Sequence, residues 1–175
     1  MPGSHLQRSP FDGGGFTLVE LMLVVALLGV ITAVSLPCFQ TVRARYELAA
    51  VARQMAEDIR ECQQIARGWR AEGGLAETNS FQVRFDSTGD SYSLNLDNSP
   101  LKTIAMPAGV DLVKTNFPEA RLVMKVNGGP SGRGGTVSLR SRRTGDYLFV
   151  VVAAVSGRVR VSPTEPGDEE ILGVK

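Results

Sequence analysis

A single carboxylate, Glu20, lies in a long apolar segment near the start of the chain. It is the only charged residue between positions 16 and 39 of this 175-residue sequence. A charged side chain inside a membrane-spanning helix costs roughly 2.5–3.5 kcal/mol on insertion scales, and such residues are usually functional and paired. Glu20 is therefore predicted to be a functional residue whose carboxylate needs a cationic partner.

Residues that could support catalysis or metal binding are few. The chain has one histidine, His5, and two cysteines, Cys38 and Cys62. That composition excludes a Cys/His zinc cluster and argues against a histidine-based catalytic centre. The sequence also lacks a Gly-x-x-x-x-Gly-Lys phosphate loop and a Gly-x-Ser-x-Gly nucleophile motif. We therefore predict that the protein is not an enzyme and that it holds no metal and no cofactor.

The apolar segment itself predicts a membrane anchor. Residues 16–39 reach the length of about 20 residues that a helix needs to cross a bilayer. The segment is too long for the apolar region of an ordinary signal peptide, and no small-x-small cleavage site follows it. Gly29 and Pro37 each weaken helical hydrogen bonding locally. We expect one N-terminal membrane-spanning helix that is weakened at these two positions.

The residues around Glu20 also form a motif. The stretch that begins at Gly15 and reads Gly-Phe-Thr-Leu-Val-Glu resembles the processing site of type IV prepilins and pseudopilins. The resemblance implies that a prepilin peptidase cuts between Gly15 and Phe16 and that Phe16 is then N-methylated. It also implies that Glu20 pairs with the terminal amine of a neighbouring subunit, and that the helix loosens at Gly29 and Pro37 inside a filament. The residues alone leave open a generic single-pass anchor with a stray glutamate near the membrane interface.

After Pro37 the pattern predicts that the helix continues to about residue 74 as an amphipathic helix, because apolar residues recur at three- and four-residue steps. The predicted buried stripe consists of Val42, Tyr46, Ala49, Ala52, Ala56, Ile59, Ala66 and Trp69. Charged residues, including Asp58, are expected on the opposite, solvated face. Cys38 and Cys62 would lie about 36 Å apart on a continuous helix, which is too far for a disulfide.

The remainder of the chain alternates between short strand patterns and turn signals. Eight strands are predicted, at residues 81–85, 92–96, 101–106, 110–115, 121–126, 136–139, 147–155 and 158–161. Many short strands after one long helix predict an α+β fold with antiparallel sheets. In the pilin-like form of that fold, a long N-terminal helix with a transmembrane first half packs its second half on a C-terminal antiparallel β-sheet domain.

These patterns, together with the cleavage after Gly15 that the resemblance to prepilins implies, divide the chain into five segments. They are a prepilin leader at 1–15 that is cleaved, the transmembrane half of the helix at 16–39, its amphipathic half at 40–74, a β-rich globular domain at 75–163, and an acidic tail at 164–175. The tail carries four acidic residues and is predicted to be flexible.

Positive charge is concentrated towards the C-terminus. Residues 121–163 contain eight basic residues and one acidic residue. Arg158 and Arg160 alternate along a predicted strand, so they project together about 7 Å apart and could contact successive phosphates. The patch could be extended by Arg133, Arg140, Arg142 and Arg143. The residues equally allow the arginines to pair with the acidic tail or with acidic residues of a neighbouring subunit.

The C-terminal hairpin carries a second resemblance. Residues 149–161, which include Gly-Arg-Val-Arg from Gly157, are similar to the last hairpin of H-type pseudopilins of type II secretion and of FimT-type minor pilins. The resemblance implies a minor pilin or pseudopilin, a structural subunit of a type II secretion pseudopilus or a type IV pilus that acts in filament assembly and protein secretion. The alternative is a FimT-like minor pilin that binds DNA non-specifically during natural transformation.

Both alternatives imply the same location and several of the same partners. The chain would be a single-pass protein of the bacterial inner membrane with its C-terminal domain in the periplasm, and it would enter a filament after processing. Its partners would be other pilin or pseudopilin subunits, the prepilin peptidase, the inner membrane and, for the second alternative, DNA.

Overall fold

The computed structural model describes residues 17–71, 81–125 and 127–167. The predicted leader and the processing site at Gly15 and Phe16 lie outside these residues. The predicted end of the helix, near residue 74, also lies outside them.

The described chain begins with one long helix, α1 (Leu18–Ala71), which contains a stretch long and apolar enough to cross a membrane. The chain divides into two compact units, Met1–Phe39 and Gln40–Lys175. In the first unit, the apolar side chains of α1 are exposed. The helix is continuous through Gly29 and Pro37 in this structure, so local loosening at these two positions stays a prediction for the filament.

Eight strands follow α1, and their positions confirm the predicted α+β fold. They are β1 (Phe81–Asp86), β2 (Ser91–Leu96), β3 (Ser99–Ala105), β4 (Val110–Thr115), β5 (Arg121–Val123), β6 (Gly135–Ser141), β7 (Tyr147–Val152) and β8 (Val159–Ser162). A strand was predicted to continue to residue 155, but β7 ends at Val152. The chain turns there because the Ala153 N–H donates to the carbonyl of Arg158 and the Gly157 N–H donates to the carbonyl of Ala153.

The strands form two antiparallel sheets of four strands each. The first sheet has the order β3-β2-β1-β5, and the second has the order β4-β6-β7-β8. Alternate residues of each sheet enter one shared core, for example Val83 from β1 and Val150 from β7. The helix contributes the third layer of that core.

The face of α1 that enters the core differs from the predicted stripe. Leu48, Ala52, Met55, Ala56, Ile59, Cys62 and Ala66 are buried. Ala52, Ala56, Ile59 and Ala66 were predicted, but Val42 and Tyr46 are exposed, and the Tyr46 side chain is 73% exposed. Apart from Ala56, which lies beside Met55, the buried residues from Leu48 to Ala66 are spaced alternately four and three residues apart, which keeps one face of the helix against the sheets. Tyr46 lies off that face.

This difference in burial can be tested with two truncations on the same helix. Ile59→Ala removes a fully buried side chain and is expected to lower the free energy of unfolding of residues 40–175 by about 2–5 kcal/mol. Tyr46→Ala is expected to change it by less than about 0.5 kcal/mol, because the side chain packs on little. Urea unfolding followed by circular dichroism measures both values. Equal losses for the two variants would contradict the assignment of the buried face.

Candidate functional site

Glu20 lies in the first turn of α1, where Thr17 caps the helix. The Glu20 N–H donates to Thr17 Oγ1 at 3.2 Å, and the Leu21 N–H donates to the Thr17 carbonyl at 3.1 Å. Thr-x-x-Glu is the spacing of a capping box, and the helix dipole favours a carboxylate at this end. Within the described residues, no cation lies within ion-pairing distance of the Glu20 carboxylate. The exposed carboxylate can therefore accept a cation from another molecule.

The surface of α1 around Glu20 is apolar from Leu18 to Phe39. Leu21, Val25, Leu28 and Ile31 are all more than half exposed, and other apolar residues cover the remaining sides of the helix. The two hydroxyls in this stretch bond back to the helix, since Thr32 donates to the carbonyl of Leu28 and Ser35 donates to that of Ile31. Such a surface suits contact with lipid chains or with other apolar helices.

Asp58 forms a buried polar cluster between α1 and the first sheet. Asp58 is only 6% exposed, although the sequence pattern placed it on the solvated face. Tyr92 on β2 donates its hydroxyl proton to Asp58 Oδ2, and Lys102 Nζ on β3 lies 2.8 Å from Asp58 Oδ1. A buried carboxylate is stable only when it is paired and hydrogen-bonded in this way. The prediction for Asp58 was wrong because these partners come from strands that are distant in sequence.

Three of the predicted DNA-binding arginines lie at or beside the turn between β6 and β7. Arg140 pairs with Asp111 at 2.7 Å, and Arg142 pairs with Asp90. Arg143 donates to the amide oxygen of Gln40 on α1. The carboxylates therefore neutralise two of these three cations within the domain itself.

The other three candidate arginines lie at the opposite end of the second sheet. Gly157 adopts a positive φ of 64° in the turn between β7 and β8, a conformation that glycine reaches without a steric penalty. Arg158 follows it and is exposed, whereas Arg160 on β8 is half-buried. The loop that carries Arg133 packs closely against this turn. At Gly134 the two backbones are so near that any side chain would clash, because a β-carbon there would lie 2.3 Å from the carbonyl oxygen of Val152.

The turn between β7 and β8 is also attached to α1. Gln63 donates to the Gly157 carbonyl at 2.7 Å, and Arg60 donates to the Val159 carbonyl at 2.9 Å. The structure thus brings Arg133 and Arg158 to one end of the sheet, while Arg140, Arg142 and Arg143 are at the other end.

The described part of the predicted acidic tail contacts the second sheet. Glu165 pairs with Lys114 of β4 at 2.9 Å, and Pro166 is buried. Lys114 is the cross-strand partner of Ser138 on β6, and Ser138 is the partner of Phe149 on β7. Residues paired in this way lie on the same face of the sheet, and Phe149 belongs to a cluster separate from the main core. The contact therefore lies on the face of the sheet that points away from the core. Residues 168–175 lie outside the described part of the chain.

The two cysteines are free, as their separation on the helix suggested. Cys38 is exposed and Cys62 is buried in the core. Burial raises the pKa of the Cys62 thiol to about 12, and nearby Glu61 adds to the increase. Cys62 is therefore a packing residue at neutral pH, since its reactive thiolate form is rare. Across the described ranges, no group of three or more candidate ligands could hold a metal ion.

No family model matches this chain. It is 25% identical over 134 residues to the fimbrial protein EcpB of Eikenella corrodens, a match that covers 76% of this chain and 82% of that protein. It is 30% identical over 86 residues to the type IV major fimbrial protein FimA of Dichelobacter nodosus, covering 43% of this chain and 54% of that protein. Over 35 residues it is 49% identical to the type IV major pilin protein PilE1 of Neisseria gonorrhoeae, covering 20% and 21% of the two chains.

A solved structure shares the fold. The minor pseudopilin EpsH from the type 2 secretion system of Vibrio cholerae aligns with a TM-score of 0.52 and 16% sequence identity. The alignment covers 68% of this chain and 99% of that chain. At this identity the likeness concerns the fold, a long helix packed on antiparallel sheets.

The buried cluster at Asp58 predicts how stability depends on alkaline pH. Burial, reinforced by the hydrogen bond to Asp58, raises the pKa of Tyr92 above its ordinary value of 10.0. The unfolded chain therefore ionises Tyr92 near pH 10 while the folded chain does not, so stability falls as pH rises above that value. Tyr92→Phe removes this contribution, which is about 1.4 kcal/mol per pH unit.

The measurement compares urea unfolding of the wild type and Tyr92→Phe from pH 8 to pH 11.5. The variant is expected to be less stable at pH 8 and to lose stability less steeply above pH 10. Tyr46→Phe is the control, because Tyr46 is exposed and should keep the wild-type slope. If the wild type and Tyr92→Phe had parallel pH profiles, the buried protonated state of Tyr92 would be refuted.

Proposed function

We propose that this chain, a member of the type IV pilin and pseudopilin superfamily by its sequence matches and its fold, is a minor pilin or pseudopilin that enters a filament from the inner membrane. It acts by assembly and contact. The observation that carries the proposal is Glu20, a lone carboxylate at the capped start of an exposed apolar helix. The relatives named above are fimbrial proteins, pilins and a pseudopilin, which agrees with a structural subunit.

In this proposal, prepilin peptidase cuts between Gly15 and Phe16, and Phe16 becomes the N-methylated terminus. The new terminal amine of one subunit then pairs with Glu20 of its neighbour. An amine and a carboxylate that meet in an apolar helix bundle interact strongly, because little water screens them. The apolar helix first anchors the subunit in the membrane and later packs against the helices of other subunits.

We further propose that the machine is a type II secretion pseudopilus, with a type IV pilus as the related alternative. Support comes from the fold of EpsH, a minor pseudopilin, and from the resemblance of the last hairpin to H-type pseudopilins. The C-terminal domain would then lie in the periplasm, where the filament supports protein secretion.

The role of Glu20 can be tested by Glu20→Ala in the full-length chain. Membrane insertion should be retained, because removal of a charge lowers the cost of insertion. Incorporation into sheared filaments should fall at least about tenfold, which corresponds to loss of an ion pair worth about 1.4 kcal/mol or more. Immunoblots of membrane and filament fractions measure both quantities.

Glu57→Ala is the matched control for this experiment, since Glu57 is an exposed carboxylate on the same helix. It should be incorporated like the wild type. Wild-type incorporation of Glu20→Ala would count against the proposed pairing. N-terminal sequencing of the native chain from cells tests the processing step, and a chain that still began at Met1 would contradict it.

DNA binding is the second candidate function, and the position of Arg133 and Arg158 favours it. Both are exposed, and neither has a hydrogen-bond or ion-pair partner through its side chain within the described residues. Two guanidinium groups at one end of the sheet could contact neighbouring phosphates of a duplex. The described residues provide no recognition helix beside these arginines, so binding would be independent of base sequence.

A comparison of two double variants tests this candidate function. Arg133→Ala/Arg158→Ala should weaken duplex binding by residues 40–175 and reduce the slope of log K against log salt by about 2, because two phosphate contacts are lost. Arg140→Ala/Arg142→Ala removes the same charge, but from residues already paired with Asp111 and Asp90, and should have a smaller effect. Fluorescence anisotropy at 50 and 150 mM salt measures both variants. Absence of wild-type binding at the lower salt would exclude the DNA role.

A further inference from the structure

A groove of about 530 Å³ lies beside the first turns of α1 in the second unit. It is lined by Gln40, Arg43 and Glu47 of the helix, Gly109 before β4, and Arg142 and Arg143 after β6. Three arginines and one glutamate therefore line the same depression. This arrangement suits an anionic ligand.

The charges around the groove are only partly neutralised. Arg142 pairs with Asp90, and Arg45, on the neighbouring side of the helix, pairs with Asp146 at 2.9 Å. Arg43 has no hydrogen-bond or ion-pair partner within the described residues, and Arg143 contacts only the neutral amide of Gln40. Two guanidinium groups thus remain available to a ligand. Their planar forks fit the oxygen atoms of a phosphate group.

The residues of α1 that line the groove follow the apolar segment directly, and this position favours a lipid headgroup as the source of the phosphate. Gln40 directly follows the apolar segment at 16–39, and Arg43 lies four residues, or about 6 Å along the helix, beyond the end of that segment at Phe39. A helix anchored through that segment would hold Arg43 at the level of the lipid headgroups, where basic side chains beside a span are attracted to anionic lipids.

We propose that the groove binds the phosphate of an anionic phospholipid, through Arg43 and Arg143. This inference rests on the proposed membrane anchoring. Headgroup binding would hold the domain at the membrane surface before the subunit enters a filament. Release of the headgroup would then accompany extraction of the subunit from the membrane.

The test uses the full-length chain in detergent micelles supplemented with phosphatidylglycerol or phosphatidylcholine. Native mass spectrometry measures how much of each lipid the protein retains. The wild type is expected to prefer phosphatidylglycerol about tenfold, and Arg43→Ala/Arg143→Ala should lose this preference. Arg53→Ala/Arg84→Ala removes two exposed arginines elsewhere, one of them on the same helix, and should keep it.

A free anion is distinguished from a lipid by adding inorganic phosphate at millimolar concentration. Retention of phosphatidylglycerol in its presence supports a lipid site, whereas complete displacement would overturn the lipid assignment. Equal loss of preference in both double variants would overturn the site, because the effect would then come from net charge alone.

Anchoring is measured separately by alkaline carbonate extraction of membranes. If the wild type stays in the membrane and shows no preference between the two lipids, the headgroup site is refuted and the proposed function stands. If the wild type is extracted like a soluble protein, the anchoring and the headgroup site both fail. Reduced filament incorporation of Arg43→Ala/Arg143→Ala with an unchanged lipid preference would overturn the lipid site in favour of an acidic subunit contact.

Discussion

The first part of α1 presents apolar side chains on every side, and this uncovered surface constrains the rest of the molecule. Each large aliphatic side chain left in water forgoes about 1.5–3 kcal/mol of burial free energy. No described segment of the chain covers this surface, which suits contact with lipid chains or with other apolar helices. Glu20 is placed at the capped end of that helix, where the dipole favours negative charge and a partner outside the chain can reach it.

Local patterns in the sequence were sufficient to locate the secondary structure. The alternation of apolar and polar residues predicted β4 at its observed bounds, Val110–Thr115, and the other strands within a few residues. The arrangement into two sheets could not be predicted in the same way. β5 pairs with β1 and β4 pairs with β6, and these choices depend on contacts between segments far apart in sequence.

Two wrong predictions concern α1, and in both cases the missing information lay in segments that are distant in sequence. Tyr46 has helical spacing relative to Ala52 and Ile59, but periodicity does not reveal where the sheets lie, and Tyr46 is exposed. Asp58 seemed to belong to a solvated face until Tyr92 and Lys102 supplied its partners. The charge summed over residues 121–163 also leaves out Asp111 and Asp90, the carboxylates that pair with Arg140 and Arg142.

The antiparallel arrangement of β6, β7 and β8 determines which arginines lie close together. Successive turns of antiparallel strands lie at opposite ends of a sheet, so the turn before β7 cannot join the turn after it. The distance between the two turns can be seen from their contacts with α1. Arg143 donates to Gln40, whereas the Gly157 carbonyl accepts from Gln63, which lies about 35 Å further along the helix. One basic stretch of sequence thus yields two separate groups of arginines at opposite ends of the second sheet, and internal carboxylates already pair with two members of the first group.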